Sequence, residues 1–129
     1  MNFLEKDLEE IIFNTNNEIL YSKGLNIFGK KYRQLKIGNY GIADIVTFHR
    51  DTFYIGGDEI KCINVNVFEL KKDKAGISAF LQALKYCKGI QRYFEHREKS
   101  IPLKFNITLV SKSIDTKSDY IYLEEFLTS

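Results

Sequence analysis

The chain has 129 residues, 44% of them hydrophobic and 28% charged, with one Pro, two Cys and no Trp. That length suits a single domain with one core, and the composition is neither low-complexity nor charged enough for disorder. No apolar stretch approaches the roughly 20 residues that span a bilayer. The opening MNFLEKDLEE is an acidic amphipathic pattern, not a basic leader followed by an apolar run, so the expectation is a cytoplasmic protein with no membrane segment.

Residues 2–14 place Phe3, Leu4, Leu8, Ile11 and Ile12 on one side of a predicted helix flanked by acids. The run Asn14 to Asn17 is rich in turn formers and should end it. A short strand is expected around Lys31–Ile37, then a turn at Gly38-Asn39, then a strand over Tyr40–His49 rich in Ile, Val, Thr and aromatic residues. Arg50-Asp51 reads as a hairpin tip with Thr52–Ile55 returning, and Gly56-Gly57-Asp58 as another turn. From Glu59 to Lys71 the period is two: Ile63, Val65, Val67, Glu69 and Lys71 share one face, and Cys62, Asn64, Asn66, Phe68 and Leu70 the other. Ala75–Arg97 is a long helix whose stripe of Ile77, Phe80, Leu81, Leu84, Cys87, Gln91 and Phe94 should face the core, with Gln82 and Tyr86 one turn apart on its edge. After Pro102, the alternation of Phe105, Ile107 and Leu109 predicts another strand. Asp115–Ser118 reads as a loop and Tyr120–Leu127 as a short strand, a helix or both. This order predicts an α/β fold with a central mixed sheet flanked by helices.

Net charge is only +2, but it is unevenly spread. Residues 1–20 hold one Lys against five acids, whereas residues 70–99 hold eight Lys or Arg against three acids. Residues 23–36 add Lys23, Lys30, Lys31, Arg33 and Lys36 with no acid. Two basic segments beside isolated carboxylates suit a groove for a polyanion around a metal; they also suit the solvated faces of a Lys-rich protein.

Polar residues stand where apolar ones are expected. Asp44 interrupts Gly41-Ile42-Ala43-Asp44-Ile45-Val46, and Glu69 and Lys71 end the next long strand on a shared face. An Asp and a Glu brought together by neighbouring strands make a hard, oxygen-lined site for Mg²⁺ or Mn²⁺, to which the carbonyl of Leu70 can add a backbone ligand. Period two sets Glu69 and Lys71 roughly 6.5–7 Å apart, so one can bind a metal while the other reaches a water or a phosphate. A Lewis acid, a positioned water and a nearby cation are what phosphodiester hydrolysis needs.

The segments Gly41-Ile42-Ala43-Asp44-Ile45-Val46, Val67-Phe68-Glu69-Leu70-Lys71-Lys72, Ala75-Gly76 and Gln82 with Tyr86 together resemble the PD-(D/E)XK nuclease superfamily, most closely the catalytic domain of NucS-type endonucleases. There a G-x-x-D strand precedes a V-x-E-L-K strand and a helix with an A-G opening and Q-x-x-x-Y. The opening Glu5-Lys6-Asp7-Leu8-Glu9 resembles that family's first helix, and the similarity runs from about Glu5 to Tyr86. The resemblance implies a restriction-endonuclease-like core in which Asp44 and Glu69 bind the metal and Lys71 manages the water. It implies Gln82 as the helix residue that orients the site or touches phosphate, and Glu5 as the helix acid, with Glu9 one turn later as the alternative. Lys30, Lys31, Arg33, Lys72, Lys74 and Lys85 would line a DNA-backbone groove.

Ala43 stands where the superfamily has Pro, and the long interval from Asp44 to Glu69 implies an extra hairpin around Gly56-Gly57, available to substrate or to a dimer edge. No separate DNA-binding domain is expected, so a homodimer or a targeting protein would supply specificity. The alternatives are a catalytically silent nuclease-fold module that binds nucleic acid or a protein, and an unrelated α/β domain with a chance Glu-x-Lys. His49 and His96 lack catalytic companions, and Cys62 and Cys87 lack ligand spacing; they read as surface histidines and half-buried thiols. Tyr120, Tyr122 and Phe126 read as packing for a last strand, or as rings for base stacking.

Overall fold

The computed structural model describes residues 5–97 and 101–114; Phe3, Leu4 and the expected elements from Asp115 onward lie outside the described residues. The described elements are α1 (Glu5–Asn14), α2 (Asn17–Ser22), β1 (Lys30–Lys36), a 3₁₀ turn (Gly38–Tyr40), β2 (Ile42–Ile55), β3 (Asp58–Ala75), α3 (Ile77–His96) and β4 (Leu103–Ile114). The strands form one mixed sheet in the order β1-β2-β3-β4, antiparallel except for β3 with β4. That parallel pair is joined through α3, the long crossover that parallel neighbours require. The chain is therefore an α/β protein with helices flanking a mixed sheet.

The two faces of β3 sort the core as its alternation predicts. Val65 and Val67 join Val46, Ile107 and Leu109 under Ala79, Phe80, Ala83, Cys87 and Ile90 of α3. Phe68 and Leu70 face the other way and join Ile45, Ile27, Ile12 and Leu20, the last two from α1 and α2. Glu69, of the same parity as Val65 and Val67, is carried to the α3 side.

Several elements differ from the expectation. The β2–β3 hairpin turns at Gly56-Gly57, not at Arg50-Asp51: Arg50 pairs with Ile63 and Asp51 with Cys62, inside the ladder. Gly56 and Gly57 have φ of 57° and 88°, which a two-residue hairpin turn demands and which Arg-Asp cannot supply without strain. The extra hairpin inferred between the motif strands is thus the outer end of those strands themselves. His49 accordingly sits mid-strand, exposed. Asn14–Asn17 ends α1 but also starts α2, because the Asn16 side chain accepts the Glu18 N–H at 2.7 Å as an N-cap.

The core stripe of α3 is turned from its predicted phase. Ala79, Ala83 and Tyr86 are buried, whereas Ile77 and Leu81 are exposed and so is Gln91. Small residues face the sheet because the helix sits close to it, which hydrophobicity alone does not signal. Gly89 marks the closest approach: a Cβ there would lie 2.5 Å from Ile37 Cγ2 and 2.8 Å from the Tyr40 ring. Gly89→Ala is therefore expected to destabilise the fold by about 1–3 kcal/mol through overpacking, measured as a lowered urea midpoint. An unchanged midpoint would mean that the 3₁₀ turn gives way freely.

Both cysteines are free and buried, and burial pushes the Cys87 thiol up to about 12, so it is an inert packing group. Among the described residues no helix is long and apolar enough to cross a membrane.

Candidate functional site

The β2–β3 ladder runs from Ile55↔Asp58 to Ile45↔Phe68 and stops there. Beyond that point Ala43 and Ile42 pair with β1, at Leu35 and Lys36, while β3 continues against β4. The two strands part like a V, and the register carried one step further sets Asp44 opposite Glu69. Side chains directly opposite on antiparallel strands stand about 5 Å apart at Cβ. The backbone confirms the contact, since the Leu70 N–H leaves the ladder and donates to Asp44 Oδ2 at 3.2 Å. In an extended strand a residue's N–H and C=O point the same way, so the Leu70 carbonyl also faces this gap. A register shift in the β3–β4 pairing follows between Lys71 and Lys74, a bulge beside the site.

Glu69 is only 3% exposed, and its Oε2 is buried with no hydrogen-bond partner among the described residues. Burial first, then the hydrogen bond with Asp44 and the charge of Asp44, together raise its carboxyl pKa to about 8, against the opposing charge of Lys71. The Glu69 carboxyl thus holds its proton near neutrality, as an acid buried beside another carboxyl does. Glu5, in the first turn of α1, is near enough for its charge to add to this effect.

From the helix side, Tyr86 closes the site. Its hydroxyl accepts a hydrogen bond from Gln82 Nε2 at 2.7 Å, and its pKa is raised by burial and then by the charge of Glu69. The ring lies on Gly41, where a Cβ would stand 3.0 Å from Tyr86 Cε1 and where φ is 120°. The Gly of G-x-x-D and the Tyr of Q-x-x-x-Y therefore share one contact: the first makes room for the second. Tyr86 both packs and borders the carboxylates.

Glu9, the alternative helix acid, is committed elsewhere. It is 5% exposed and receives Arg33 Nε at 3.2 Å and Gln34 Nε2 at 3.1 Å. Gln34 reaches it from φ 52°, a left-handed conformation that is strained for a non-glycine residue. With Glu9 tied to β1, Glu5 is the α1 acid whose charge reaches Glu69.

The expected backbone-groove cations have mixed positions. Lys31 Nζ donates to the carbonyls of Ile12 at 3.0 Å and Thr15 at 2.6 Å, capping the end of α1. Arg33 is paired with Glu9 and lies over the Phe13 ring, 5.3 Å from its centroid. These two hold α1 to β1 instead of standing open to a ligand. Lys30 lies over Tyr32, and Lys85 is exposed on α3. The side chains of Lys72 and Lys74 lie outside the described residues. What sequence missed here is pairing across layers, for which Glu9, Lys31 and Arg33 carry no local signal.

Among the described residues there is no group of three or more His, Cys, Asp and Glu side chains arranged to hold a metal. The donors present are two carboxylates, one with an orphaned buried oxygen, and one backbone carbonyl. Such hard oxygens fit a small divalent cation, which commonly takes one or two carboxylates and completes its shell with water and phosphate. Comparison with family models, with curated proteins and with solved structures finds no match to this chain.

Proposed function

We propose that this chain is a metal-dependent nuclease of the PD-(D/E)XK type, with a restriction-endonuclease-like core, hydrolysing DNA phosphodiester bonds. One observation carries the reading: a buried Glu69 with an unsatisfied carboxylate oxygen, set against the half-buried Asp44 at the point where two strands part, with Lys71 beside it. A fold does not bury an acid against a second carboxyl for stability.

Asp44, Glu69 and the Leu70 carbonyl would hold Mg²⁺ or Mn²⁺. Such an ion, when bound, lowers the pKa of a coordinated water and offsets charge on the scissile phosphate. Lys71 shares the face of Glu69 and positions the attacking water, its ammonium balancing charge that develops on phosphate oxygen. Gln82 fixes the Tyr86 hydroxyl and so the wall against which Glu69 rests. Glu5 extends the acidic site from α1. The outer hairpin, from Arg50 to Cys62, has neither β1 nor β4 beside it and projects Tyr54 and Ile55. A second copy of the chain or a targeting protein is the partner this reading gives it.

The test is cleavage of labelled single-stranded, duplex and branched DNA with Mn²⁺ or Mg²⁺, beside EDTA. Cutting only with metal is expected, with Lys71→Ala slower by at least about 100-fold. Cutting in EDTA, or wild-type rates in Lys71→Ala, would overturn the assignment. DNA binding without cutting would move the reading to a silent nuclease-fold binding module.

A further inference from the structure

Beside the carboxylates, β1, the 3₁₀ turn and the second half of α3 enclose a groove of about 940 Å³. Its rings form a continuous run: Tyr32 meets Phe48 at 5.6 Å between centroids, Phe48 meets Phe94 at 6.4 Å, and Phe94 meets Tyr93 at 5.7 Å. Tyr32 is 37% exposed and Tyr93 54% exposed. Lys36 and Arg92 line the groove, and among the described residues no Asp or Glu does. Two more cations stand on its rings, Lys30 Nζ 5.2 Å from the Tyr32 centroid and the Arg97 guanidinium 4.9 Å from that of Tyr93.

Exposed aromatic faces interleaved with cations, and free of acids, are the recognition chemistry of a single strand, whose bases stack while its phosphates are neutralised. A duplex hides the faces of its bases from such rings. An apolar peptide gives the cations nothing to pair with. The groove also leads to the acid pair: Tyr40 and Gly89 line it, while Gly41, the next residue, and Tyr86, one turn earlier on α3, wall the Asp44–Glu69 site.

We infer that this groove binds a single-stranded segment of nucleic acid, with bases on Tyr32 and Tyr93 and phosphates on Lys36 and Arg92. Delivery of the adjoining phosphodiester to Asp44 and Glu69 rests on the nuclease reading; the binding does not.

The experiment is fluorescence anisotropy of a labelled oligothymidylate with the full chain in EDTA, so that nothing is cut. Tyr32→Ala and Tyr93→Ala are expected each to weaken binding about 5- to 100-fold, while Tyr93→Phe binds as wild type. A duplex of equal length should bind at least about ten-fold more weakly. The inference is overturned if wild type does not bind, if the duplex binds equally, or if both Ala variants, folded by circular dichroism, bind unchanged. The two proposals fail separately. Tyrosine-dependent binding with no metal-dependent cutting would sink the nuclease and leave the groove. Cutting with tyrosine-independent binding would do the reverse.

Discussion

Glu69→Gln is expected to lower metal-dependent cleavage by about 1,000-fold or more while leaving the protein folded. The substitution keeps side-chain volume and removes only the charge that a divalent cation needs from a buried ligand. Its control is built in. Glu69 is buried against Asp44 with its pKa raised to about 8, so a neutral amide stands in for the protonated acid that the metal-free fold already holds. A variant that melts no lower than wild type yet does not cut has lost chemistry, not structure. Wild-type cutting by a folded Glu69→Gln protein would remove Glu69 from the mechanism.

The second large effect is the stability of the metal-free protein against pH. The ordinary carboxyl value for Glu69 is 4.5, and the fold raises it to about 8. Between those values the folded state binds more protons than the unfolded chain, so stability falls as pH rises. Protonated Glu69 contributes fully below about pH 4.5, and that contribution is gone above about pH 8. The loss is on the order of a few kcal/mol. Urea midpoints in EDTA should fall from pH 5 through about pH 8 for wild type, and much less for Glu69→Gln. A wild-type midpoint that rises over this range would show that Glu69 is ionised in the fold.

Much of the site's frame was legible because a strand has a strict period. Val65, Val67, Glu69 and Lys71 alternate with Phe68 and Leu70; Val65 and Val67 pack into one core, and Phe68 and Leu70 into the other on the opposite face of the sheet. Asp44 stood out as an acid within an apolar strand, and register sets it opposite Glu69. The hairpin tip was misread because Arg50-Asp51 looks polar enough to turn, although only Gly56-Gly57 has the backbone freedom. In α3 the large residues Ile77 and Leu81 drew the predicted stripe, while the sheet-facing side is set by Ala79, Ala83 and Gly89, which allow close approach. Glu9, Lys31 and Arg33 were beyond sequence for a different reason. Their partners lie 16 to 25 residues away, joining α1 to β1, and nothing local distinguishes a paired charge from a solvated one. The groove of Tyr32, Phe48, Tyr93 and Phe94 was hidden likewise, since its rings come from three elements.

The proposed nuclease chemistry requires Glu69 to give up its proton when a divalent cation binds between it and Asp44. Calorimetric titration of Mn²⁺ into the metal-free protein at neutral pH, in two buffers of different ionisation enthalpy, tests it most directly. Saturable binding with proton release is expected for wild type and none for Glu69→Gln. Equal binding by both proteins, or binding by neither, would contradict it.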